Sequence, residues 1–138
     1  MKFISSLLMC LVLLAPGAQA QQDSVFDSYE DYAAFVDQHV MQRDFIMLIL
    51  RLGGRDEYSQ EQLEQTNAQL RGIWQEDFQN ASVFREEDLG GGLRQEGRLY
   101  WSGTGYAYFY ALMHQRENDF VVLSFHLNTN SRDVLDRF

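Results

Sequence analysis

Cysteine, lysine and proline are nearly absent from this chain of 138 residues. The single copies, Cys10, Lys2 and Pro16, all lie within the first twenty residues. From residue 21 onward there is no thiol to form a disulfide, attack a substrate or ligate a metal. These absences exclude a disulfide-stapled scaffold and cysteine chemistry from the remainder of the chain.

The first twenty residues have the pattern of a secretory signal peptide. Lys2 gives a positive start, residues 3–15 are almost entirely apolar, and residues 18–20 read small-x-small. We therefore predict cleavage between Ala20 and Gln21. A retained N-terminal anchor is the alternative, although the apolar stretch is shorter than the roughly 20 residues that a spanning helix needs.

This pattern predicts a secreted or periplasmic protein with a single domain, residues 21–138. Small secreted eukaryotic domains usually depend on disulfides, so a domain without cysteine favours the bacterial periplasm. Loss of Lys2 leaves 10 basic and 20 acidic residues, a net charge of −10. That charge argues against nucleic acid and anionic lipid as partners, and we expect no membrane span after cleavage.

The first half of the domain has the spacing of two amphipathic helices. Ser28, followed by Asp31, is typical of a helix N-cap, and apolar residues recur at helical spacing after it. We expect this helix to kink near residues 42–44 and to end at Gly53 and Gly54. Ser59, with Gln62 three residues on, predicts the start of the second helix.

After Asn80 the apolar period changes from 3.6 to 2, which is typical of strands. An edge strand is predicted at residues 81–87, and three strong strands at 93–101, 106–115 and 120–129. Short turns join them, so they form an antiparallel meander, and residues 134–138 end the chain as a short helix. The predicted fold is α+β, with two N-terminal helices packed on one face of a three- to four-stranded sheet.

Side chains alternate across a strand, so the pattern also assigns two faces to the sheet. We take a register that pairs Trp101 with Tyr106 and Gln115 with Phe120. One face is then nearly all apolar, and we expect the helices to cover it. It holds Leu99, Trp101, Tyr106, Tyr108, Tyr110, Leu112, Val121, Leu123, Phe125 and Leu127. A slip of one residue would exchange the two faces.

The opposite face mixes charged, polar and apolar residues, which suits a ligand cleft or a subunit contact. Arg98 and His126 lie in one row of this face with Glu96 beside them, and Tyr100 and Asn128 share it. We predict these five residues as a binding site, since arginine with an acid and an imidazole can hold an anion or move a proton. The alternative is a solvated ladder of charges, worth about 0–1 kcal/mol per pair.

The sequence contains no motif with a defined chemistry, and its three histidines lack the spacing of a metal site. We expect no metal and no cofactor. Three functions remain open, and the missing catalytic motif favours the first, non-enzymatic binding of a small molecule or protein. The second is a small enzyme in which His126 transfers protons and Arg98 stabilises negative charge beside Glu96. The third is an envelope assembly protein that forms a homodimer through its sheet.

The order of elements, helices first and then a long antiparallel meander, resembles NTF2-like and cystatin-like α+β domains. NTF2-like domains often pair through their sheets and hold a pocket between sheet and helices. The resemblance therefore implies a small-ligand binder, a dimeric adaptor or an isomerase-like enzyme. It rests on topology alone, no residue motif of either family matches, and no functional residue is carried over.

Overall fold

The computed structural model describes residues 22–138, which form an α+β fold with a five-stranded antiparallel sheet and four α-helices. The predicted signal peptide and its cleavage site at Ala20 and Gln21 lie outside the described residues. In chain order the elements are β1 (Val25–Phe26), α1 (Tyr29–Met41), α2 (Phe45–Ile49), α3 (Gln60–Ile73), β2 (Asn80–Gly90), β3 (Leu93–Ser102), β4 (Gly105–Gln115), β5 (Phe120–Asn128) and α4 (Ser131–Leu135).

Helices α1 and α3 begin where the capping residues Ser28 and Ser59 predicted. The Ser28 hydroxyl accepts the backbone N–H of Asp31 at 3.1 Å, and Ser59 forms a complete capping box with Gln62. The predicted kink is a full break between α1 and α2, where Arg43 adopts a φ of +56°. A π-helical turn, Leu50–Gly54, follows α2. No helix in residues 22–138 combines the length and apolarity needed to cross a bilayer.

The sheet has the strand order β1-β5-β4-β3-β2, so it contains one strand more than the meander predicted from the sequence. That strand, β1, pairs only Val25 with Val121 and Phe26 with Phe120, and two residues are too few to show a period. The final helix begins at Ser131 rather than at residue 134, with Asn130 as its N-cap.

A β-bulge in β5 changes the predicted register. Met113 pairs with Val122 as expected, but Leu112 pairs with Ser124, which leaves Leu123 as an extra residue without a partner on β4. An extra residue inverts the alternation for the rest of the strand. The expected row of Arg98, Phe109 and His126 is therefore wrong: Phe109 pairs with Leu127, and His126 pairs with Tyr110.

The helices cover the mixed face of the sheet, so the expectation that they would cover the aromatic face is wrong. On this face, side chains of α1 hydrogen-bond to Glu96, Arg98 and Tyr100. The apolar residues Phe109, Met113 and Val122, together with Ala107 and Ala111, are buried in the core that the helices share with the sheet. Tyr106 and Leu123, by contrast, are 44% and 52% exposed.

Candidate functional site

The predicted residues Glu96, Arg98 and Tyr100 lie in a hydrogen-bonded cluster beneath α1. The Glu96 carboxylate is fully buried and accepts three donors. Tyr29 Oη donates to it at 2.5 Å, Tyr32 Oη donates at 3.3 Å, and Arg98 donates through Nε. A buried carboxylate needs such donors, because an unpaired charge away from water costs several kcal/mol.

Arg98 joins this buried carboxylate to a second one on α1. Its Nη1 donates to Asp37 Oδ1 at 2.9 Å, and its Nη2 donates to Tyr29 Oη at 3.0 Å. The Tyr100 hydroxyl also donates to Asp37, at 2.7 Å. Within residues 22–138, no buried side-chain nitrogen or oxygen lacks a hydrogen-bond partner. We call these six residues the Glu96 network: Tyr29, Tyr32, Asp37, Glu96, Arg98 and Tyr100.

Burial and neighbouring charges keep the three phenols and the guanidinium of the Glu96 network protonated near neutral pH. Burial, reinforced by Glu96, raises the pKa of Tyr29 and Tyr32, and burial with Asp37 raises that of Tyr100. Burial alone would lower the pKa of Arg98, but the charge and hydrogen bond of Glu96 outweigh it and raise the pKa. These phenols and the guanidinium therefore stay protonated, which suits a structural cluster better than a proton-transfer site.

The other two predicted site residues do not join the Glu96 network. The His126 ring lies 6.2 Å from the Tyr110 ring, on the sheet face opposite α1. Asn128 pairs with Tyr108, and its Oδ1 accepts the backbone N–H of Asn130 at 2.9 Å. The bulge at Leu123 thus separates His126 and Asn128 from Arg98, Glu96 and Tyr100.

Sequence reasoning missed the three members of the Glu96 network that α1 supplies. Helical spacing places Tyr29 and Tyr32 among the apolar residues of the first helix, although each carries a hydroxyl that needs a partner when buried. For Asp37, the signal in the sequence was its position directly after Val36, an apolar residue that the helix buries. The contacts themselves span more than 60 residues, and local spacing does not reveal such pairs.

Two neighbouring clefts lie between β5 and the helical layer. One, of about 340 Å³, is lined by α2, Tyr58, Leu70 of α3 and residues 125–127. The other, of about 350 Å³, lies between residues 52–54 and residues 122–126. Glu57, Phe125 and His126 line both clefts. We treat the two as one feature, the β5 groove.

The β5 groove exposes an edge of the sheet. Strand β1 pairs with only Phe120 and Val121, and the backbone N–H of Val122 then donates to Ser24 O at 2.8 Å. Ser24 has a φ of +66°, and Val25 N donates to Gln22 O in a tight turn, so the chain leaves the edge here. Among the described residues, no strand pairs with residues 123–128 on the side away from β4.

Glu57 is the one charged residue among the described residues that line the two clefts of the β5 groove. The nearest upstream cations are engaged elsewhere: Arg55 pairs with Asp23 at 2.5 Å, and Arg51 stacks on the Phe26 ring at 4.0 Å. Downstream, the Arg71 guanidinium donates to the backbone oxygen of Arg43. The charge that lines the groove is therefore negative, which favours a cationic group on a ligand.

A third cleft, of about 410 Å³, lies between the end of α3 and the turn that joins β3 to β4. Trp74 and Phe78 line one side, and residues 102–105 line the other. Much of this lining is turn backbone, and Glu76 is its one charged residue. This cleft therefore has turn backbone where the β5 groove has a strand edge.

No protein-family model, curated protein or solved structure matches this chain. The likeness in element order to NTF2-like and cystatin-like domains accordingly stays a resemblance and assigns no residue a role. Within residues 22–138, no three histidine, cysteine, aspartate or glutamate side chains come together as a candidate metal site. Assignment of a function therefore rests on the geometry of the described residues.

We expect His126 to titrate below pH 6.5, because burial and then the positive charge of Arg137 lower its pKa. The imidazole therefore binds a proton more readily in the unfolded chain than in the folded protein. As a result, the free energy of unfolding should fall as the pH falls below 6.5. An NMR titration of the imidazole measures the pKa directly. Arg137→Gln should raise it, and Arg132→Gln is the control. A pKa that is the same in the parent protein and in Arg137→Gln would contradict this cause.

Proposed function

We propose that this chain is a non-enzymatic binding domain whose ligand site is the β5 groove, and that it acts outside the cytoplasm. The observation that carries the proposal is the composition of the groove. Partly exposed apolar side chains (Tyr58, Leu70, Phe125 and Leu127) stand beside an open strand edge and the carboxylate of Glu57. Apolar walls with a few polar groups, in a volume of this size, are typical of ligand sites.

The position of the predicted catalytic residues favours binding over catalysis. An enzyme that used Arg98, Glu96 and His126 together would need them in one pocket. Arg98 is only 4% exposed, and each of its three guanidinium nitrogens donates a hydrogen bond beneath α1, whereas His126 lies on the other face of the sheet. The export proposal rests on the signal-peptide pattern of residues 1–20.

A groove-filling substitution tests the proposed site. Thr66 lines the groove on α3, so Thr66→Trp should occupy part of its volume. We expect ligands found in a thermal-shift screen to lose their effect in this variant. At 100 times its dissociation constant, a ligand adds about 2.7 kcal/mol of stability to the parent protein.

Gln69→Trp is the matched control, because it places the same side chain on the exposed side of α3. Ligands should stabilise this control as they do the parent. If every ligand keeps its full effect in Thr66→Trp, the groove is not the binding site. A ligand shift that is lost equally in both variants would show that the helix, not the groove, matters.

A further inference from the structure

The open edge of β5 provides the hydrogen-bonding groups that an extended peptide needs. Residues 123–128 form a six-residue stretch with no strand partner on the groove side in the described part of the chain. An extended chain rises about 3.3 Å per residue, so this edge is roughly 20 Å long. Unpaired backbone groups in such a row are a template for another strand.

The walls of the β5 groove select among peptides that could add to this edge. Tyr58 is 40% exposed, and Leu70, Phe125 and Leu127 are partly exposed beside it, so an apolar side chain could pack there. Glu57 lines both clefts and is the one charged residue among the described residues that line them. A peptide in which lysine or arginine alternates with apolar residues would match this combination of Glu57 and apolar side chains.

We infer that the β5 groove binds an extended, cationic peptide segment of a partner protein as an added strand antiparallel to β5. This inference rests on the proposed function, because it names the class of ligand for the same groove. Backbone hydrogen bonds to residues 123–128 would give most of the affinity. Glu57 and the apolar wall would give the preference for a basic and apolar sequence.

An NMR titration tests the inference with a defined probe. The probe is a pool of heptapeptides in which lysine alternates with a mixture of valine, leucine and phenylalanine. We expect the backbone amides of residues 123–127 to shift and some of them to exchange more slowly with solvent. Glu57→Gln should weaken binding about two- to fivefold, as expected for one solvent-exposed ion pair.

Two matched pools separate strand addition from other modes of binding. N-methylation of alternate backbone amides removes the donors along one edge of the peptide, and we expect affinity to fall at least about tenfold. Replacement of lysine by glutamate should weaken binding through repulsion from the Glu57 carboxylate. Equal affinity of the N-methylated and parent pools overturns the inference.

The remaining outcomes also decide between the inference and the proposed function. If no peptide shifts these amides but a small molecule does, and Thr66→Trp blocks that molecule, the groove is a small-molecule site and the peptide inference fails alone. If the amides of residues 123–127 shift with protein concentration, a second copy of the chain occupies the edge, which also overturns it. If neither peptides nor small molecules act on the groove, both proposals fail.

Discussion

Replacing Arg98 by methionine should lower the free energy of unfolding by about 3–5 kcal/mol. The loss has two causes: the Glu96 carboxylate remains buried without its cation, and Asp37 loses a donor. Urea-induced unfolding, followed by tryptophan fluorescence, measures the effect as a lower transition midpoint with a similar slope.

A second substitution separates the lost charge pair from a general loss of packing. Glu96→Gln removes the buried charge but keeps one oxygen, which can accept from Tyr29 or Tyr32, while the amide NH2 can donate to the other phenol. We therefore expect the double variant, with Arg98→Met and Glu96→Gln, to be more stable than Arg98→Met alone. A double variant that is less stable than Arg98→Met would contradict this account.

Arg116 is the matched control for the effect of removing a guanidinium. Its Nε is 2.5 Å from a carboxylate oxygen of Asp119, and the arginine side chain is 47% exposed. Because exposed pairs contribute little, Arg116→Met should cost about 1 kcal/mol or less. Similar losses for Arg116→Met and Arg98→Met would show that burial of the Glu96 network does not determine its contribution to stability.

Truncation of Phe109 to alanine should lower the free energy of unfolding by about 3–5 kcal/mol, as is usual when a buried aromatic side chain leaves a cavity. Phe109 is fully buried and stacks on Phe125, with 6.3 Å between ring centroids. The same urea-induced unfolding experiment measures the loss.

Tyr106→Ala tests the other face of the same strand. Tyr106 is nearly half exposed, and its backbone oxygen, which accepts from Trp74, is kept in the variant. We expect a loss of about 1 kcal/mol or less. A larger loss for Tyr106→Ala than for Phe109→Ala would place the core on the aromatic face, as the sequence pattern predicted.

The elements of this fold were predictable because their signals are local. Ser28 and Ser59 mark helix starts within three residues, and the alternation in β3 and β4 marks long strands without reference to the rest of the chain. The break before α2 also had a local signal, since polar residues interrupt the apolar pattern there. The two-residue β1 had none, because it exists only through its pairing with β5.

The arrangement of the candidate site was not predictable, because it depends on contacts that are distant in sequence. Glu96 and Arg98 suggest a solvated strand face until Tyr29, Tyr32 and Asp37 of α1 supply their partners. Because this sheet face contains charged residues, its composition is that of a solvent-exposed face, although the helices cover it. Glu96, Arg98 and Tyr100 share one sheet face, as their alternation predicts, whereas the bulge in β5 turns His126 and Asn128 to the other face.

The extra residue at Leu123 decides which face the last part of β5 presents to the helices. If Leu123 paired regularly with Leu112, every side chain from Ser124 to Asn128 would turn to the opposite face. His126 would then point into the helical layer, and Phe125 and Leu127 would point to the outer surface. Deletion of Leu123 would instead remove the bulge and keep the present partners on β4. A codon can thus be lost at this position without exchanging the side chains that line the groove.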